Sequence, residues 1–281
     1  MEVGRVLTTS GSSIIGGKLL QMKEATPKKS LGQHWLHDID SLEAMCRAGE
    51  VTKDDVVVEI GPGLGTLTSL LVMEAGQVIA LEYDEDLARQ LPARVTSNTL
   101  QVEHADCLTF DYTSVAAGYK VVANIPYYLT SNLLRVLSES SNPPAIIALL
   151  VQKEVAERVA AEPGDMSLLS VSVQLYYAAE LAELVPAKLF TPPPKVDSQI
   201  IKLVRRSEPM FDNLDDKEFF RVVKAGFSQR RKKLRSSLSA GLRISKPEAT
   251  ELLEACGVDP NARPQELSLQ QWHDIYLHVQ A

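Results

Sequence analysis

Val56-Val57-Val58-Glu59-Ile60-Gly61-Pro62-Gly63-Leu64-Gly65 is the stretch on which the fold turns. Its β-branched run shows no polar alternation, which reads as a strand buried on both faces, as in a parallel sheet. The run enters a glycine-rich turn, and helical periodicity follows over 64–74. Strand, glycine turn and helix in that order open an α/β domain of the Rossmann-like kind. Working outward, short apolar runs at 77–81, 100–103, 120–123 and 145–151 predict further strands, with helices at 84–94 and 130–138 between them. Two more strands are predicted at 178–185 and 196–204, giving a mostly parallel seven-stranded sheet. Beyond Arg206 the pattern changes to helices at 215–226, 246–255 and 268–279 with no strand among them. The boundary falls near 206–213, where Pro209 and polar residues interrupt the pattern. The organisation expected is an α/β domain over 22–206 and a small all-helical domain over 207–281.

Residues 1–21 are rich in Ser, Thr and Gly and are expected to be a disordered extension, from a tag or a mis-assigned start, with Met22 as an alternative beginning. No apolar run approaches the roughly 18 residues of a membrane span. Cys46, Cys107 and Cys256 lie far apart without CxxC spacing, so neither a metal site nor a disulfide framework is indicated. A monomer in a reducing, cytoplasmic setting is expected. The net charge of −7 argues against a general affinity for phosphate. Between Lys217 and Arg243, however, nine Lys or Arg residues accompany the single acid Glu218. A basic stripe on an acidic chain reads as a docking surface.

The turn Glu59-Ile-Gly61-Pro-Gly63-Leu-Gly65 has the spacing GxGxG. The dinucleotide fingerprint needs GxGxxG, and the shorter form with an acid before it is the usual look of an S-adenosylmethionine site. Glu82 ends the second strand of this unit, where a carboxylate can accept both hydroxyls of a ribose. Asp106 follows the third strand and can accept a hydrogen bond from an adenine amino group, with Cys107 and Leu108 beside the ring. Acids at successive strand ends line a nucleoside crevice and offer no phosphate clamp.

Asn124-Ile125-Pro126-Tyr127 closes the fourth strand. The exocyclic nitrogen of adenine is a poor nucleophile because its lone pair is delocalised into the ring. The Asn124 side-chain carbonyl and the Ile125 backbone carbonyl can accept its two hydrogens and favour a pyramidal nitrogen. Pro126 fixes the turn, and Tyr127 offers a face on which an extruded base can stack. A sulfonium donor leaves as a neutral thioether, so the chemistry rests on alignment and on dipoles aimed at developing charge.

With these motifs in place, the chain from Lys28 onward resembles the ribosomal RNA adenine dimethyltransferase family of class I methyltransferases. The resemblance is to its bacterial members that convert two adjacent small-subunit adenines to the N6,N6-dimethyl form. Lys29-Ser-Leu-Gly-Gln-His-Trp-Leu36 is similar to the family's GQNFL or GQHFL segment, with Trp35 where the family has Phe, filling an apolar slot. The resemblance implies that His34 and Leu36 contact the cofactor together with Gly61, Gly63, Glu82, Asp106 and Asn124. Phe190-Thr-Pro-Pro-Pro-Lys-Val-Asp-Ser198 is similar to the family's F-x-P-x-P-K-V-x-S loop and is expected to hold Phe190 against the target base opposite Tyr127. Phe227-Ser-Gln-Arg-Arg-Lys-Lys-Leu-Arg235 also matches, and Arg230, Arg231, Lys232, Lys233 and Arg235 are the expected phosphate contacts. The implied partner is small-subunit rRNA or an assembling small subunit. Two other readings stand beside it: a large-subunit rRNA adenine methyltransferase, and an RNA-binding assembly or transcription factor on the same fold. A DNA adenine methyltransferase is disfavoured because nothing resembles a sequence-reading domain.

Overall fold

The computed structural model describes residues 13–15, 18–20, 26–28, 31–229 and 231–280. Two short strands, β1 (Ser13–Ile15) and β2 (Lys18–Leu20), pair antiparallel, where the sequence predicts no structure. The rest of the 1–21 extension lies outside the described residues. Next come β3 (Trp35–Leu36) and the helix α1 (Ile39–Ala48), which Asp38 caps by accepting from the Ser41 N–H.

The main sheet is assembled from β4 (Val56–Ile60), β5 (Gln77–Glu82), β6 (Leu100–His104), β7 (Lys120–Asn124), β8 (Ile146–Gln152), β9 (Tyr177–Val185) and β11 (Ser198–Arg205). A two-residue strand, β10 (Phe190–Thr191), stands apart and pairs with β3. The sheet order is β6-β5-β4-β7-β8-β11-β9, parallel from β6 to β8, with β11 antiparallel to both of its neighbours. The seven predicted strands are all present, within two residues of their expected ends.

The continuous apolar runs work because successive strand residues face opposite sides. Val58, Val121, Ile147, Leu149 and Val151 feed one core, while Val57, Val122, Ala148 and Leu150 feed the other. The second core is closed by Leu42, Met45 and Cys46 of α1 and by Leu67 and Leu71 of α2 (Thr66–Glu74). On the same face, α3 (Glu85–Arg94) covers Ala80 with Leu91. The first core is closed by Leu133, Leu134 and Leu137 of α4 (Thr130–Glu139), then by α5 (Lys153–Val159) and α6 (Leu168–Gln174). Burial pushes the thiol of Cys46 up to about 12 and that of Cys107 to about 11, which keeps both protonated and inert.

Beyond β11 the chain forms α7 (Asp216–Phe227), α8 (Leu234–Leu242), α9 (Lys246–Ala255) and α10 (Leu269–Gln280). The sequence pattern locates three of these four, and α8 was not separated from the basic segment that precedes it. Their core centres on Trp272 and Phe219 and also takes Met166, Val171 and Leu175 from before β9. The helical unit is therefore packed onto the α/β unit through α6. Within the helical unit, Gly226 of α7 lets α10 pack closely, since an added Cβ would sit 2.3 Å from the fully buried Trp272 ring. Gly226→Ala is expected to lower stability by about 1–3 kcal/mol. A urea unfolding curve checks this, and an unchanged midpoint would contradict it.

Candidate active site

Successive strands run outward one way from β4 through β5 to β6 and then the other way from β7 to β8, and such a switch point between β4 and β7 opens a crevice beyond the strand carboxyl ends. A cleft of about 400 Å³ lies there. It is within the roughly 300–1,000 Å³ typical of small-molecule sites. Residues at or just past the ends of β4, β5, β6 and β7 all reach it: Gly61 and Gly63, then Glu82, Asp106 and Asn124.

The glycine turn is left-handed at Gly61 (φ 69°), Gly63 (φ 56°) and Gly65 (φ 84°), a region that favours glycine. At Gly65 a Cβ would lie 2.8 Å from both Leu91 and Val95, so the turn is pressed against α3. At Gly63 a Cβ would lie 3.3 Å from Trp35 Nε1 on the cleft wall.

Glu82 is buried, and both its oxygens are fixed by main chain. Oε2 accepts from the Gly63 N–H at 3.0 Å and Oε1 from the Asp84 N–H at 2.8 Å. Burial raises its pKa, and these two N–H groups oppose the rise. Each carboxylate oxygen retains acceptor capacity for a ligand hydroxyl. Beneath it, the fully buried carboxyl of Glu59 is pushed up to about 8, chiefly by burial and partly by the Glu82 charge, with Thr68 opposing. Its Oε2 has no partner among the described residues, so this acid is held neutral at pH 7. Asp106 accepts from the Leu108 N–H through Oδ1, which aims the carboxylate at the cleft wall it lines.

The segment before α1 forms the opposite wall. Lys28 Nζ lies 2.6 Å from the buried Asp84 carboxylate and holds it below the usual range, with a backbone N–H adding to the effect. His34 Nδ1 lies 2.7 Å from the Pro192 carbonyl, so the ring carries its hydrogen on Nδ1 and donates. The Leu36 carbonyl accepts from Thr66 Oγ1 at 3.1 Å, and its side chain is buried in the core under the cleft. Trp35 lines the cleft, and its Nε1 is buried without a partner among the described residues. An apolar slot is expected there, and the unpaired indole N–H is what distinguishes Trp from Phe at this position.

Asn124 donates from Nδ2 to the His34 carbonyl at 3.2 Å. That bond fixes the amide orientation and leaves Oδ1 as the free acceptor. Ile125 is buried in the first core, which anchors its backbone. Pro126 accepts from the Leu129 N–H at 3.0 Å, closing the turn. Tyr127 is half-buried, its hydroxyl is 2.7 Å from Ser198 Oγ, and its ring is stacked 5.9 Å from His34. The Tyr127–Ser198 bond ties the start of the 127–129 turn to β11.

Phe190 is a correction to the sequence reading. It is only 3% exposed and lies in the second core, and it is not among the residues lining the cleft. The cause is a long-range pairing: β10 pairs Phe190 with Leu36, and both side chains turn inward. The proline loop reaches the site through the Pro192 carbonyl instead. Two exposed residues the sequence reading passed over, Tyr83 and Tyr128, line the cleft mouth at 62% exposure each. Their signal was adjacency, since one follows Glu82 and the other follows Tyr127.

On the helical unit, Arg231, Lys232 and Lys233 are exposed, and Arg235 is half-buried. Arg230 lies outside the described residues. Lys233 Nζ bonds to Asn261 Oδ1 at 2.7 Å. Among the described residues, no helix is long and apolar enough to cross a membrane.

Residues 25–281 match the family described as ribosomal RNA adenine dimethylase. The chain is 38% identical over 278 residues to ribosomal RNA small subunit methyltransferase A of Dehalococcoides mccartyi strain CBDB1, across 97% of this chain and 96% of that protein. It is 39% identical to the protein of the same name from Moorella thermoacetica, across 92% and 94% respectively. Among solved structures, a dimethyladenosine transferase from Plasmodium falciparum is similar with a TM-score of 0.75 and 25% identity, covering 88% of this chain and 98% of that one. The 23S rRNA methyltransferase ErmE gives 0.72 and 28%, covering 88% and 100%. Taken with the cleft at the β4/β7 switch point, these likenesses establish that the chain belongs to the ribosomal RNA adenine dimethylase family.

Proposed function

We propose that this enzyme dimethylates the N6 amino groups of two adjacent adenines in a hairpin near the 3′ end of small-subunit rRNA, during ribosome assembly, with S-adenosylmethionine as donor. The observation that carries the reading is the orientation of Asn124, whose amide nitrogen is held by the His34 carbonyl so that Oδ1 is the acceptor. The donor fits the cleft on its own terms. Glu82, braced by two main-chain N–H groups, suits a ribose diol; Asp106 suits an adenine amino group; and the glycine turn has room only where side chains are missing. When bound, the donor supplies an electrophilic methyl group on a sulfonium centre.

The chain's own residues do the rest. Asn124 Oδ1 and the Ile125 carbonyl accept hydrogen bonds from the two N–H groups of the target amino group, which turns its lone pair toward the methyl. Once methylated, the nitrogen releases one proton to solvent. In the second round its single remaining N–H is held in the same way and then lost. Tyr127, tethered through Ser198 and backed by His34, holds the base by stacking. Catalysis is orientation and dipole placement in a site that excludes much of the water. The second methyl requires that the pocket admit a monomethylated nitrogen, and Phe190, packed away in the core, does not narrow it.

Arg231, Lys232, Lys233 and Arg235, with Arg230, are assigned to rRNA phosphates. Replacing Arg231, Lys232 and Lys233 by alanine is expected to weaken RNA binding and to flatten its dependence on salt by up to about three counterions. Unchanged binding across a salt titration would move the RNA surface elsewhere.

The likeness to ErmE favours one second reading, methylation of large-subunit RNA. Incubation of the chain with labelled donor and unmethylated small subunits, large subunits or free rRNA separates the two. Label confined to small-subunit rRNA supports the proposal, and label in large-subunit rRNA overturns it.

A further inference from the structure

A second cavity lies in the seam between the α/β unit and the helical unit, away from the donor cleft. It has a volume of about 420 Å³, and its walls include Arg158, Asp165, Ser167, Leu168, Phe227 and Gln265. Arg158 ends α5, the residues 165–168 lead into α6, Phe227 ends α7, and Gln265 precedes α10. The volume lies within the roughly 300–1,000 Å³ range of small-molecule sites. Its walls are mixed, with the Phe227 ring, the Arg158 guanidinium and the exposed Asp165 carboxylate set among Ser167, Gln265 and the aliphatic Leu168.

Two features of the fold say what the cavity faces. The first is charge. Phe227, which lines the cavity, is followed within a few residues by Arg231, Lys232 and Lys233, all exposed, so one wall leads along the chain into the most basic segment of an otherwise acidic protein. The second is position. α5 begins immediately after β8, whose last residue, Gln152, pairs with Ser198, and Ser198 holds the Tyr127 hydroxyl. Arg158 is therefore only a short helix away from the strand ends that carry the catalytic turn, roughly 9 Å along the axis at 1.5 Å per residue.

We propose that the seam cavity is a second nucleotide site, which takes a single-stranded base of the rRNA lying near the target adenine. This rests on the rRNA reading above and adds a specific subsite to it. The base is held against the half-buried Phe227 ring, whose other side is supported by Trp272 at 5.5 Å between centroids. The Arg158 guanidinium, paired with Glu154 in the free chain, turns to the adjoining phosphate. Asp165 at the rim accepts from an exocyclic amino group, which favours adenine, guanine or cytosine over uracil. Extruding a neighbour as well as the target loosens the hairpin loop, and the two cavities together set the register of the RNA.

The test uses the full chain bound to unmethylated small subunits, irradiated with ultraviolet light and mapped for RNA–peptide adducts by mass spectrometry. Arg158→Ala and Phe227→Leu are assayed in parallel, and thermal melts identify any variant that has lost its fold. The expected result is an adduct on the Phe227 peptide or on residues 165–169, together with a KM for small subunits raised about tenfold in Arg158→Ala and an unaltered Kd for the donor. Phe227→Leu keeps an apolar filler in the core but loses the stacking face, and is expected to lose the adduct. Adducts confined to residues 231–235, with a normal KM in Arg158→Ala, would overturn the seam site while leaving the rRNA reading standing. The absence of both adducts and binding would overturn the rRNA reading and the seam site with it.

Discussion

Asn124→Ala is expected to reduce the rate of methyl transfer by about 10²–10³-fold or more, the range seen when a preorganised polar contact is removed from a reacting centre. Two losses coincide in this variant. The Oδ1 acceptor for the target amino group disappears, and so does the Nδ2 bond that ties the end of β7 to the His34 carbonyl. Donor binding should change little, because Glu82, Asp106 and the glycine turn are held by separate main-chain contacts. Single-turnover methylation and calorimetric donor binding measure the two effects independently. Near-normal turnover would remove Asn124 from the mechanism.

Glu82→Ala should show the opposite split. Both carboxylate oxygens accept main-chain N–H groups, so the substitution withdraws partners from Gly63 and Asp84 as well as from a ribose. Hydrogen bonds to charged groups contribute about 1.5–3 kcal/mol each, so losing two from a ribose weakens donor binding by about 10²–10⁴-fold. Calorimetry gives the Kd directly. A Kd within a few-fold of the parent would place the ribose elsewhere in the cleft. Glu82→Gln keeps the shape, and an intermediate loss in that variant separates the lost charge from the lost contacts.

The two predictions also mark where sequence reading is strong. Gly61, Gly63, Glu82, Asp106 and Asn124 were legible because each sits at the end of an apolar run, and a parallel sheet brings all such ends to one edge. The continuous runs themselves were legible because strands buried on both faces carry no polar alternation. Phe190 was misjudged because a proline loop can present an aromatic residue to either side. The side was settled by a two-residue pairing with Leu36, far away in sequence. The direction of the Asn124 amide depends on a carbonyl 90 residues upstream, which spacing does not reveal. In contrast, α1 was available to a closer reading, with Asp38 as a cap and Leu42, Met45 and Cys46 on one helical face. The seam cavity was out of reach altogether, because its walls come from four segments that only the packing of α6 against α7 brings together.

The central claim is chemical: the cleft methylates the exocyclic nitrogen of adenine twice. Unmethylated small subunits incubated with the chain and donor, then digested to oligonucleotides for position and to nucleosides for identity and resolved by mass spectrometry, test it most directly. The account predicts N6,N6-dimethyladenosine at two adjacent positions and its loss with Asn124→Ala. Methyl groups on a ring nitrogen, a ribose oxygen or another base would contradict it.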